Sequence, residues 1–330
     1  MAALLQQLIA RGQNRSISDL GVPANRPLLE EIQTKLCELG LLDPVIGGNV
    51  ATPFRPLRPA DGRLTLDTRN AIIAFHHAAN LPYVDNLLSP TVLQALEQAQ
   101  PDTFLPIQFE NSNTDQPATR LAKRVLRYMN KKGYWIARTP DMFNIVYVEG
   151  LDPDGRPNAD AFNEWNDRRM VIRILPGGQP EMLVNDQATT EPGKFYTDNP
   201  TNDLGVARIA FGQYKAWTDG MHRRTQPALV QAGPLRLHRD RNRDTFRSSS
   251  DPVDVGSHFC INQHSTSPNV TPALVDKYSA GCLVGRRYRW HLSFMMIIRQ
   301  DFRYVMNKAY VFVTTVISGD DLGKEEPNIS

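Results

Sequence analysis

Apolar residues recur every three or four positions through the first third of this chain, and then the period shortens. Leu4, Leu5, Leu8 and Ile9 share one face of an N-terminal helix. Leu28, Leu29, Ile32, Leu36 and Leu39 form the stripe of a second, which Gly40 ends as a C-cap glycine does. A loop rich in Pro and Gly runs from Asp43 to Gly62. Asp67 or Thr68 then caps a helix that buries Ala71, Ile72 and Phe75, and Ser89-Pro90-Thr91 starts another. Residues 101–117, rich in Pro, Asn, Asp and Gln, read as a linker. Leu121 to Lys132 is a basic helix with Leu121, Val125, Leu126 and Met129 inward and its Lys and Arg residues in solvent.

Beyond Gly133 the apolar runs are short, β-branched and separated by Gly, Pro, Asn and Asp. Strands are expected at 144–148, 170–175, 182–184, 207–210, 234–238 and 310–317. Ser293 to Lys308 is a late helix, and 319–330 is a polar, frayed tail. The pattern predicts a multi-domain α + β chain. A lead-in (1–25) precedes a small three-helix bundle (26–100), a linker (101–117), a mainly β domain with a few helices (118–318) and the tail.

Composition narrows the function classes. With 330 residues, 41% hydrophobic and 22% charged, the chain is ordinary globular material. Lys+Arg is 37 against Asp+Glu 35, a net charge of +2, which does not argue for nucleic acid. No apolar stretch approaches the ~18 residues of a membrane span. The N-terminal helix lacks a basic leader and a cleavage site, so no Sec signal is expected and export needs another route.

Three cysteines without a C-x-x-C form neither a disulfide framework nor a zinc site. Cys37 reads as helix core and Cys260 as strand packing. Cys282, preceded by Ser279-Ala280-Gly281, is the candidate nucleophile, and His264 its base. The pair is expected as thiolate and imidazolium. The backbone amides of Gly281 and Cys282 are the expected oxyanion hole, with Ser279 or a backbone carbonyl orienting the histidine. His222 and His258 are candidate substrate-cleft residues, and His238 a weaker one; the four tryptophans read as core. Asp240, Asn242 and Asp244 alternate as in a calcium loop, but Thr245 stands where that loop needs glycine. A solvated turn is therefore expected, with no cofactor.

Two stretches resemble known families. Ile32-Gln33-x-x-Leu36-x-x-Leu39-Gly40 and Asp61-Gly62-x-Leu64-x-x-x-Thr68-x-x-Ala71-Ile72-x-x-Phe75 are similar to the helical peptidoglycan-binding domain of bacterial wall enzymes, with His76 where glutamine is usual. His264, fourteen intervening residues and then Ser279-Ala280-Gly281-Cys282 resemble the L,D-transpeptidase signature, in a divergent branch found in phage and secreted effector proteins. Glu191-Pro192-Gly193-Lys194-Phe195 is similar to a second segment of that family. Ala280 replaces a histidine. Val284 stands at the usual arginine, for which Arg286 or Arg287 is the expected substitute. The resemblance implies a mainly β L,D-transpeptidase-like domain acting on stem peptides of peptidoglycan through a Cys282 thioester. It implies action at the wall or periplasm; with no Sec signal expected, delivery by a secretion or lysis machinery is the expected route. The other reading is a non-enzymatic wall-binding or phage structural protein with a decayed site.

Overall fold

The computed structural model describes residues 3–44 and 58–327, so most of the expected loop from Asp43 to Gly62 lies outside the described residues. The fold is mixed α + β. Helices α1 (Ala3–Arg11), α2 (Arg26–Glu38), α3 (Leu66–Ala78) and α4 (Pro90–Gln98) pack around one apolar core with Leu29, Ile32, Leu36, Ile72, Phe75 and Leu93. A short pair, β1 (Arg15–Ser16) and β2 (Leu87–Leu88), ties α1 to α4. Thr65, not Asp67 or Thr68, caps α3 by accepting from Thr68 N–H. The Thr68 hydroxyl is instead engaged by Gln33, whose amide also accepts from Asp61 and Gly62 N–H at 3.2 and 2.8 Å. This buried amide fastens the Asp-Gly turn to α2, where Gly62 sits at φ +67°.

The expected linker contains a short helix and touches the β part. It opens with α5 (Pro101–Phe104), and Gln108 N–H then donates to Gly178 O. Helix α6 (Pro117–Lys131) buries Lys123 and Arg124, contrary to a fully solvated basic face. Lys123 meets Asp115 at 2.7 Å, and Arg124 donates to the carbonyls of Gly155, Leu322 and Glu326. The covering segment is the expected tail. It forms α10 (Gly319–Glu325), capped by Ser318 and anchored by buried Leu322.

Eight strands close a barrel in the order β11-β12-β5-β4-β3-β13-β7-β8. They are β3 (Asn144–Glu149), β4 (Asp167–Ile174), β5 (Pro180–Thr189), β7 (Gly212–His222), β8 (Gln226–Gln231), β11 (Gln263–Ser265), β12 (Leu283–Gly285) and β13 (Val311–Ser318). Tyr147 and Val171 point into the barrel, while Val146, Met170 and Ile172 pack outward on α6. Burial on both faces gives β3 and β4 their continuous apolar runs. A second sheet, β6 (Val206–Ile209), β9 (Leu235–Asp240) and β10 (Val253–Gly256), lies beside it. After α7 (Lys194–Asp198), the expected late helix is two: α8 (Tyr288–Ile298) and α9 (Phe302–Met306). Asp301 separates them by capping α9 and accepting from Phe143 N–H at 2.8 Å.

Two polar clusters lock these parts together. Asp43 meets Arg303 at 2.6 Å and Tyr310 at 2.5 Å, fixing the helical part to the barrel. Beneath one barrel end, Arg247 grips both oxygens of Glu149 at 2.5 and 2.6 Å, and Arg208 bridges Glu191 and Asp240. Asp167 accepts from Gly150 and Thr190 N–H. Burial, and then the charge of Glu149, push Glu191 up to about 8 and Asp160 up to about 7, with Asp167 raised as well.

Candidate active site

Parallel pairing of β11 with β12 sets Gln263 against Leu283 and His264 against Val284. One residue earlier, Asn262 lies opposite Cys282, and Leu283 N–H donates to Asn262 O at 3.0 Å. Strand alternation then puts His264 and Cys282 on one face. Gln263 turns the other way and donates to Thr314 at 2.9 Å. His264 and Cys282 line a single cleft of about 360 Å³ together with His222, Arg223, Lys277 and Tyr278.

The Ser-Ala-Gly run shapes the turn before the thiol. Ser279 Oγ donates to Cys282 O at 2.8 Å and accepts from Gly281 N–H at 3.1 Å. Gly281 sits at φ +114°, and a Cβ there would lie 2.5 Å from Ala207 O. Gly281→Ala is therefore expected to cost at least about 1–3 kcal/mol from backbone strain alone, and more from the clash. Urea unfolding measures it; a stability equal to the wild type would contradict this account of the turn.

Cys282 as a residue is 8% exposed. Its Sγ accepts from Asn262 N–H at 3.4 Å and lies 3.5 Å from Cys260 O. Burial pushes the thiol up to about 11, with Asn262 N–H and the Arg223 charge acting the other way. His264 Nδ1 is 2.8 Å from Ser265 O. A carbonyl only accepts, so Nδ1 carries the proton and the Nε2 lone pair is the base. Burial, then His222 and Arg223, lower the imidazole to about 3. Both shifts favour the neutral thiol and neutral imidazole over the expected ion pair, because neither charge is solvated there. The orienting acceptor is the Ser265 carbonyl; Ser279 acts on the nucleophile turn instead.

The other expected residues fall differently. His222 lies in the cleft, its ring 3.9 Å from that of His264 and 8° from parallel. His258 is exposed and outside the cleft lining. Arg286 is spent on Pro272 O and Gln187, and Arg287 stacks on Trp290, so neither enters the cleft. Trp290 is accordingly exposed rather than core. Asp240 is buried on Arg208, while Asn242 and Asp244 bond to each other, so their oxygens do not converge as a calcium loop requires. Cys260 is exposed at φ +58° outside any strand, and all three cysteines are free thiols. Among the described residues, Glu149, Asp160 and Glu191 do come close enough to share an ion. Arg247 and Arg208 already neutralise two of these.

Asn262, Arg223 and Lys277 were not singled out from the sequence. Asn262 lies two residues from His264, hence on the same strand face. Arg223 and Arg224, at φ +50° and +60°, turn the hairpin between β7 and β8. No family model, no curated protein and no solved structure matches the chain.

Proposed function

We propose that this chain is a cysteine acyl transferase acting on peptidoglycan stem tetrapeptides, as an L,D-transpeptidase or L,D-carboxypeptidase does. The observation that carries the reading is the placement of Cys282 and His264 on one strand face, in one cleft, with His264 Nε2 left as a base. Cys282 attacks the carbonyl between the L-centre of meso-diaminopimelate and the terminal D-alanine. His264 takes the thiol proton as the S–C bond forms and returns it to the amine of D-alanine as the C–N bond breaks. An amine or water then resolves the thioester, giving a crosslink, an exchanged D-amino acid or a shortened stem. Arg223 and Lys277 supply positive charge for the stem carboxylates, the part first expected of Arg286 or Arg287.

The helical part is the wall-binding element of this reading. The Asp43–Arg303 contact makes it a fixed surface beside the catalytic barrel rather than a tethered module. Burial of the thiol, which pushes its pKa up, favours one alternative, a wall-binding protein with a decayed site.

Incubation with purified tetrapeptide muropeptides, read by mass spectrometry, tests the proposal. Loss or exchange of the terminal D-alanine is expected. Muropeptides left unchanged by the wild type would remove it, and co-sedimentation with insoluble peptidoglycan would then leave the binding-protein reading.

A further inference from the structure

An oxyanion hole aims preorganised hydrogen-bond donors at the developing charge, and each donor added there lowers the barrier further. The two amides expected to serve are those of Gly281 and Cys282. Gly281 N–H is already donated to Ser279 Oγ at 3.1 Å, which leaves Cys282 N–H and an open place for a second donor.

His222 is tuned to fill it. Asn262 Oδ1 accepts from Gln231 N–H at 2.9 Å, which fixes the orientation of that amide. The group 3.0 Å from His222 Nδ1 is therefore the Asn262 NH₂, a donor. His222 Nδ1 must accept, so its ring proton sits on Nε2. That Nε2–H has no hydrogen-bond partner among the described residues, and the ring lines the cleft. The stacked imidazoles therefore carry opposite tautomers. His264 offers a lone pair at Nε2, and His222 offers a proton there. Asn262 connects this donor to the nucleophile, since its own backbone N–H reaches Cys282 Sγ.

We propose that His222 is a catalytic residue whose Nε2–H donates to the oxygen of the carbonyl under attack, completing the oxyanion hole with Cys282 N–H. As the S–C bond forms, the carbonyl π electrons move to oxygen, and the two donors hold that charge. When the charge returns, the C–N or C–O bond of the leaving group breaks and His222 keeps its proton throughout. The proposal rests on the acyl-transfer reading but not on any particular substrate.

The test uses the full chain and two reagents at pH 9. With p-nitrophenyl acetate, an oxyanion forms and p-nitrophenolate leaves as Cys282 is acetylated. With iodoacetamide, iodide is displaced and no oxyanion forms. His222→Phe keeps a ring against His264 but removes the donor. It is expected to slow acetylation by about 10²-fold or more, the usual effect of losing one oxyanion donor, with alkylation of Cys282 unchanged. His222→Gln, which retains an N–H donor, is expected to recover most of the loss. Wild-type acetylation in His222→Phe would overturn the proposal. So would an equal fall in both reactions, which marks a positioning role, or a wild type that is alkylated but never acetylated at Cys282. Acetylation without action on muropeptides would leave this inference standing and remove only the peptidoglycan substrate.

Discussion

Cys282→Ala is expected to abolish acyl transfer, and His264→Ala to lower it by about 10²–10⁴-fold, the range of a positioned general base. The accompanying signature is in the pH dependence. The thiol is raised to about 11 and the imidazole lowered to about 3, both chiefly by burial. Between those limits both groups are neutral, so no thiolate is stored in the resting site. Exposed Cys260 should therefore react with iodoacetamide before Cys282 at neutral pH, and Cys282 should accelerate only toward alkaline pH. The acyl-transfer rate should instead form a plateau, because proton transfer to His264 accompanies attack rather than preceding it. Peptide mapping after timed labelling separates the thiols. Rapid labelling of Cys282 at pH 6 that disappears in His264→Ala would restore the ion pair and reverse this picture. For stability the signs differ. The lowered His264 favours the fold above its ordinary value near 6.5, a contribution lost as pH falls toward 3. The raised Cys282 favours the fold below about 9, a contribution lost as pH rises through 11.

Arg247→Met is expected to be among the most destabilising single changes, at about 3–5 kcal/mol, because it strips the cation from a buried pair. Arg247 holds Glu149 through two hydrogen bonds, in a cluster that also contains Asp160, Asp167 and Glu191. The effect should depend on pH. Glu191 and Asp160 are raised to about 8 and about 7, so their protonated forms favour the fold fully near pH 4. That contribution is lost as pH rises through their folded values. Arg247→Met should thus cost less at pH 5 than at pH 8, where more carboxylates need a counter-charge. Urea unfolding at the two pH values measures this. An equal cost at both would mean that the carboxylates are not coupled to the arginine. The cluster also supports the site. Ala207, beside Arg208, packs on Gly281, and Gly193, two residues past Glu191, donates to Ser279 O. Weakening it should loosen the nucleophile turn.

Much of the helical part was legible because its signals are local. The stripe from Leu28 to Leu39, the glycine at 40 and the serine at 89 depend on spacing within one or two turns. Strands β3, β4 and β13 were legible as apolar runs because the barrel buries them on both faces. Strand β7 was missed. It alternates polar and apolar residues, and Tyr214, Ala216 and Trp217 reveal their inward face only once the barrel closes. Arg286 and Arg287 were reasonable cleft cations by sequence distance from Cys282. The chain turns after β12 and spends them on Gln187 and Trp290.

The amino-acid order determined the nucleophile candidate, its candidate base and the glycine between Ser279 and the thiol, since those are matters of residue type and short spacing. Tertiary structure alone decided what surrounds them. It placed His222 on His264 from a hairpin far away in sequence, turned the Ser265 carbonyl to Nδ1, and used Gly281 N–H within its own turn. It also decided the charge state. A solvated thiol and imidazole can exchange a proton cheaply, whereas the same two groups buried in the wall of this cleft are pushed toward their neutral forms by the cost of burying ions.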